Sequence, residues 1–312
     1  MRVIRDYEFV EAIDKGASVA IGNFDGVHLG HQSVIDIARK EAKAHHVPLG
    51  ILTFEPHPRS FFAVQAPPFR LMGSEARETR LEKLGINLLY ELNFNASLSE
   101  LTPEEFAQRV ICDGLALKHV VVGADFCFGK GRAGNVSDLQ RFGEEMGFGV
   151  TIAPLIAAGL GEVSSTSIRK ALYEGSPRDA AEQLGHWHRI EGPVIGGEQR
   201  GRDLGYPTAN MSMDGLHLPR LGIYAVLVDI LAGPYRGTHH GAASLGVRPM
   251  FGQNTANLET FLFDFAGDLY GTRMSVALVD FLRPELKFDG LQELIDQMAI
   301  DCNQARKILG AL

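Results

Sequence analysis

The sequence predicts an α/β half followed by a mostly β half. Three observations carry that prediction. Strand-like apolar runs alternate with helical patterns up to about residue 185. Beyond that point strand-like runs follow one another with almost no helical spacing between them. One amphipathic segment then closes the chain.

In order, Val19 to Ile21 reads as a short buried strand, and "QSVIDIARKEAKAH" has helical spacing. "LGILTF", "INLLYEL", "HVVVGADF" and "GVTIAPL" are further strand candidates. Helix starts lie between and after them. "TPEEF" sets Thr102 as N-cap, Pro103 at the first helical position and Glu105 three residues after the cap, a capping box. "VSDLQRFGEEMG" and "SIRKALYEG" are two more, and Ser176-Pro177-Arg178-Asp179 opens another, with Asp179 near the positive end of the helix dipole. Strands alternating with helices imply a parallel sheet covered on both faces, which binds ligands at the carboxyl ends of its strands. The loop 22–32 lies at such an end.

From "GPVIGG" to "FLRPEL" the clearest runs are "GIYAVLVDI", "LETFLFDF" and "MSVALVDFL". Gly233-Pro234, Pro249 and Gly271-Thr272 are the turn residues between runs. The pattern reads as an antiparallel sheet or a small barrel. Leu291, Leu294, Ile295, Met298, Cys302, Ala305, Ile308 and Leu309 form the stripe of the last helix. The domain boundary falls after "AAEQLG", giving domains 1–185 and 186–312.

Composition narrows the function. A net charge of −8 and no dense Lys/Arg block argue against a nucleic-acid backbone as main partner. Three scattered cysteines argue against a disulfide frame and a structural zinc site. The opening "MRVIRDYEFVEAIDKG" lacks a signal-peptide core, and no run approaches the roughly 18 apolar residues of a membrane span. The expectation is a cytoplasmic protein that engages neither membrane nor nucleic acid.

Four stretches are candidates to carry chemistry. "GNFDGVHLGHQ" (Gly22 to Gln32) sets His28 and His31 three apart at a strand-to-helix loop. A helix N-terminus favours anions, and imidazoles there can donate to phosphate oxygens as charge develops. "RGRDLGYPTANM" places the oxygen-bearing Thr208 and Asn210 two apart, on one face if extended, and such hard oxygens suit Mg²⁺. In "LETFLFDF", Glu259 shares a strand face with Phe261, Phe263 and Phe265 if the strand continues. A carboxylate there is costly unless it is paired or works as a base, and a strand-end Glu reaching water is the other reading. "TFEPHP" brackets His57 with two prolines, as a stiff loop or as a substrate-contacting one.

"GNFDGVHLGHQ" resembles the signature of the HxGH nucleotidylyltransferases. Together with "TFEPHPRSFF", "VVVGADFCFGKGRAGN" and "VSSTSIRKAL" it looks like the adenylyltransferase half of the bifunctional riboflavin kinase/FMN adenylyltransferase family. "RGRDLGYPTAN", "LPRLGIYAV", "LGVRPMFG", "LETFLFDFAGDLYG" and "FLRPELKFDGLQELIDQMAIDCNQAR" resemble its riboflavin kinase module. The resemblance runs from roughly residue 15 to 309, in the family's order. It implies a Rossmann-like nucleotidylyltransferase domain and a β-barrel kinase domain with a closing helix. It implies riboflavin, FMN, FAD and ATP as substrates and products, with Mg²⁺ as cofactor; oxygen ligands do not distinguish Mg²⁺ from Mn²⁺.

The residue roles below are what the resemblance implies. His28 and His31 steady ATP phosphates. Gly22, Asn23, Phe24, Ser164, Ser165, Thr166, Arg169 and Gly201 bind ATP or phosphate. Asn23, His57, Pro58 and Asp125 contact flavin. Thr208 and Asn210 hold the metal and nucleotide, and Glu259 takes the proton of the ribityl hydroxyl. The chain departs from the family pattern at Cys127, where an arginine is common, and Lys130 or Arg132 is the candidate to compensate. Ser244-Leu245, Met250 and Phe261 also depart, where Asn-Ile, Thr and His are common. Three rival readings follow: a chain with only its kinase half active, a flavin-binding sensor without turnover, and a tRNA-ligase relative reached through H-x-G-H alone, against which the acidic charge and the barrel's motifs weigh.

Overall fold

A computed structural model describes residues 1–63, 65–154, 157–158, 161–196, 204–250 and 253–312. The chain divides into two units, Met1–Pro67 with Arg77–Val163, and Pro68–Ala76 with Ser164–Leu312. Among the described residues no helix is long and apolar enough to cross a membrane.

The first stretch of chain contains β1 (Arg2–Ile4), β2 (Ser18–Ile21), α1 (Leu29–His45), β3 (Leu49–Glu55), α2 (Pro58–Phe62), α3 (Ser74–Lys83) and β4 (Leu88–Asn93). There follow α4 (Ala96–Ser99), α5 (Pro103–Glu105), which widens into π-type turns over Phe106–Gly114, then β5 (His119–Gly123), α6 (Val136–Met146) and β6 (Gly149–Ala153). Strands β1 to β6 form one parallel sheet in the order β1-β4-β3-β2-β5-β6. From β2 the chain moves outward on one side through β3 and β4, and on the other through β5 and β6. The order therefore reverses beside β2, and ligands of such sheets sit outside the strand ends at that reversal. The loop 22–32 leaves β2 there.

Burial on both faces explains the unbroken apolar runs: Val19 and Ala20, and likewise Val120, Val121 and Val122, are fully buried. Phe106, Val110, Ile111 and Phe142 pack on one face with Val19, Ile21, Val120 and Val122. Helix α1 packs on β2, β3 and β5 and buries Ile35, Ala38 and Ala42. Strand β1 was not expected. It is three residues long and incompletely buried, too short to print a periodicity. Two short strands, β7 (Ala157–Ala158) and β8 (Gly161–Glu162), pair antiparallel.

The second unit begins with α7 (Ser165–Glu174) and α8 (Pro177–Leu184). It continues with β9 (Arg189–Pro193), β10 (Thr208–Ser212), β11 (Gly222–Ile230), β12 (Gly237–Met250), β13 (Gln253–Leu262), β14 (Arg273–Arg283) and α9 (Leu291–Leu309). The strands pair antiparallel in the order β10-β13-β12-β11-β14-β9. Just past β9, Ile195 N–H donates to Asn210 O at 2.8 Å, so the sheet nearly closes into a barrel. Met211, Tyr224, Val226, Val228, Leu258, Val276 and Leu278 belong to one core cluster. Ala225, Ala242 and Val279, from the other face, pack with Ala305 and Leu309 of α9. The Rossmann-like sheet, the barrel and the closing helix are those the sequence implied.

Three details differ from expectation. Pro249 lies within β12, paired with Asn254, so the turn comes after it. Leu291 is exposed, and the deepest α9 positions are Asp301, Ala305 and Leu309. Helical periodicity does not say how far the sheet beneath extends. The alternation over "LETFLFDF" stops at the end of β13, because Asp264 takes a positive φ of 55°. Phe263 stays with Phe261 in the cluster under α9, while Phe265 turns to Tyr235 and His239.

Candidate functional site

The histidine loop is strained and held from several sides. Phe24 and Val27 have φ values of 49° and 45°, which side-chain-bearing residues rarely adopt. Such strain persists only where the surroundings over-determine it. Phe24 and Val27 are buried, and Gln32 Nε2 donates to Val27 O at 2.9 Å. Thr53 Oγ1 and Arg77 Nη1 donate to Asn23 O at 3.3 and 3.4 Å, while the Asn23 residue itself is exposed. Gly22 N–H donates to Leu52 O at 3.1 Å, which carries the sheet into the loop.

His28 is the N-cap of α1, and its Nδ1 accepts from His31 N–H at 3.3 Å. An accepting Nδ1 leaves the ring proton on Nε2, a donor. The rings of His28 and His31 stack with centroids 3.6 Å apart. Burial, and next the neighbouring His28, hold the His31 pKa well below its ordinary value. The pair thus sets the His28 Nε2–H donor and a His31 ring whose charging burial opposes at a helix N-terminus at the sheet's switch point.

His57 caps α2: its Nδ1 accepts from Arg59 N–H at 3.0 Å, with Pro58 in the first helical turn. Asp125 is exposed just past β5. Cys127 is half-buried, its Sγ 3.7 Å from Asp125 O. Lys130 pairs with Glu100, which raises its pKa. In the second unit, Ser164 and Ser167 form a reciprocal capping box on α7, with both bonds 3.1 Å long. Thr166 is exposed and Ser165 partly so. Arg169 Nε donates to Phe69 O at 2.6 Å, and its guanidinium lies 5.3 Å from the Phe69 ring centre.

The barrel brings the other predicted residues together. Asn210 on β10 and Glu259 on β13 are register partners, and Ser244 on β12 is the partner of Glu259 on its other side. Thr208 lies two residues from Asn210 on the same strand face. Asn257 Nδ2 donates to Asn210 Oδ1 at 2.8 Å, and both residues are buried. The Asn257 Oδ1 atom has no hydrogen-bond partner among the described residues. Tyr206 meets Phe261 edge-on at 5.2 Å between ring centres. Gly201 lies outside the described residues.

Sequence reasoning missed Arg77. It is 1% exposed, and its Nη2 reaches Glu91 Oε2 at 2.6 Å and Glu55 Oε2 at 3.0 Å. Its partners come from other elements, so no local spacing signals it. Asn257 could have been found, because it stands two residues before Glu259 on one face.

Residues 10–167 match the family model of FAD synthetase, and residues 184–309 that of riboflavin kinase. A bifunctional riboflavin kinase/FMN adenylyltransferase of Pseudomonas fluorescens is 37% identical, over 99% of this chain and 98% of its own. The protein of that description from Listeria monocytogenes is 35% identical over 97% and 95%, and that from Escherichia coli K12 is 34% identical over 99% and 98%. A crystal structure described as a macrolide-efflux protein from Streptococcus pneumoniae superposes with a TM-score of 0.81 at 32% identity, covering 96% of each chain. Both modules stand in order and the relatives match end to end, so the chain belongs to the bifunctional riboflavin kinase/FMN adenylyltransferase family.

Proposed function

We propose that this chain phosphorylates riboflavin to FMN and adenylylates FMN to FAD, with ATP as co-substrate of both steps. The observation that carries this reading is Glu259 set in register beside Asn210, on the strand face that also bears Thr208, Asn257 and Phe261. A binding module needs no carboxylate there; a kinase needs a base. Glu259 takes the proton of the ribityl hydroxyl as the hydroxyl oxygen attacks the γ-phosphorus of ATP, the bond from that phosphorus to the β,γ-bridging oxygen breaks, and ADP leaves. Thr208 and Asn210 would hold Mg²⁺, and the donor set fits: a hydroxyl, an amide oxygen, a carboxylate and the unpartnered Asn257 oxygen are all hard ligands. The metal, when bound, neutralises phosphate charge. Mn²⁺ takes the same ligand types. Gly201 is assigned to the nucleotide phosphates by resemblance.

In the second reaction an FMN phosphate oxygen attacks the α-phosphorus of ATP and pyrophosphate leaves. His28 and His31 donate hydrogen bonds to phosphate oxygens and steady the charge of the transition state. Gly22, Asn23 and Phe24 shape the ATP loop. Ser164, Ser165, Thr166 and Arg169 supply hydroxyls, helix N–H groups and a guanidinium to phosphate. Asn23, His57, Pro58 and Asp125 contact flavin. We place the functional divide at residue 185, close to where the riboflavin kinase match begins. Free cysteines and ATP dependence fit a cytoplasmic enzyme.

The test is product analysis by liquid chromatography, from riboflavin in one tube and FMN in another, with ATP and Mg²⁺. FMN then FAD from the first, and FAD from the second, is expected. FMN alone from the first and nothing from the second would leave only the kinase. Glu259→Gln should lose FMN formation, by about a hundredfold or more, and still adenylate supplied FMN. Loss of both activities in a folded variant would overturn the two-site reading.

A further inference from the structure

Away from both sites, one cluster in the first unit has the donor set of a transition-metal centre. Glu41 and His45 stand one turn apart on α1 and so share a face. His119 is the first residue of β5. Glu41 Oε2 lies 3.7 Å from His45 Nε2 and 3.9 Å from His119 Nδ1. One donor atom from each of the three residues lies within 4.8 Å of the other two. Around a tetrahedral ion with bonds of about 2.0–2.1 Å, neighbouring donors stand about 3.3 Å apart. Small side-chain rotations close that difference.

His119 is already oriented for the role. Its Nε2 is 2.8 Å from Thr151 Oγ1, which is the outer contact that fixes the tautomer of a metal-bound imidazole. Room for the ring comes from Gly149, its register partner on β6: a Cβ there would lie 2.2 Å from His119 Nδ1. A solvated i,i+4 pair would account for Glu41 and His45. It would not account for a buried imidazole that turns Nδ1 toward the same carboxylate. Two imidazoles and one carboxylate favour Zn²⁺, Co²⁺, Ni²⁺ or Cu²⁺ over Mg²⁺.

We propose that Glu41, His45 and His119 bind one Zn²⁺-class ion, which fastens the last turns of α1 to β5. The remaining position would take water. His28 and His31 lie at the opposite end of the same helix, so this site is separate from the phosphate-binding one.

The experiment is calorimetric titration of the full, chelator-treated chain with Zn²⁺, with thermal unfolding alongside. Wild type should take up one ion per chain with a raised Tm, and excess Mg²⁺ should not compete. Glu41→Gln and His45→Ala sit on partly exposed helix positions, and circular dichroism checks that they stay folded. Each should weaken Zn²⁺ binding by at least about tenfold, and Thr151→Val, which frees the His119 tautomer, by about tenfold. No saturable uptake, or unchanged affinity in both ligand variants, would overturn the proposal and assign any bound zinc to other histidines.

Discussion

A methyl group on residue 30 would lie 3.1 Å from both Cε1 and Nδ1 of His28 and 3.6 Å from the Val163 carbonyl oxygen. That spacing explains the glycine of H-x-G-H: the capping imidazole lies against it. Gly30→Ala would push the His28 ring aside, with the bond from Nδ1 to His31 N–H and the stack on His31. The ring must give by a few tenths of an ångström, and since a misplacement of about 1 Å costs on the order of a hundredfold in rate, this smaller one should cost about tenfold. FAD formation from FMN should fall by roughly that factor, with riboflavin phosphorylation unchanged, as the two chromatographic assays would read. Wild-type FAD formation in this variant would mean that the pair does not depend on the close approach.

Among the elements, α3 is tied to β3 and β4 by Arg77, which bonds Glu55 and Glu91 and also holds the Asn23 carbonyl. Glu91 is as deeply buried as its partner. Removing one member of a buried pair strands the other charge, at about 3–5 kcal/mol. Arg77→Ala should therefore shift the urea midpoint of the first unit strongly, and FAD formation should drop with it. A shift no larger than that of a surface Arg→Ala would mean that water reaches Glu91. Elements like these divide what a sequence shows from what it hides. Thr102 and Glu105 form the expected capping box because both halves lie within one turn. "GIYAVLVDI" is β11 to the residue because its turns flank it directly. Thr208, Asn210 and Glu259 were legible as types on faces, and only strand pairing showed Asn210 opposite Glu259. Arg77 stayed hidden because its partners are 14 and 22 residues away on separate strands. Phe265 was misplaced because one left-handed residue, Asp264, breaks the period of two.

For the molecule as a whole, acid should weaken both units through histidines buried in the neutral form. In the first unit burial lowers the pKa of His31 and His119. In the second, His188 Nε2–H donates to Leu71 O at 3.0 Å, and its Nδ1 has no partner among the described residues. Burial lowers the His188 pKa to about 4; the Leu71 carbonyl opposes the shift, and His186 and His217 add to it. An unfolded chain protonates the same ring near pH 6.5. Above that pH neither state binds the proton, and the group adds no pH dependence. Between about 6.5 and 4 the unfolded chain takes up a proton that the folded one refuses, so stability falls as pH falls. Below about 4 both states are protonated and this contribution levels off. The full loss from this residue is on the order of 3 kcal/mol. Carboxylates such as Asp264, whose pKa is lowered by Arg306, push the same way at lower pH, so wild type alone cannot isolate the histidine. His188→Gln can, because its amide keeps a donor for Leu71 O and does not titrate. Thermal unfolding of both proteins from pH 7 to pH 4 should give a shallower fall of Tm in the variant. Equal slopes would mean that the folded second unit accepts a charged His188, and that its acid sensitivity has another source.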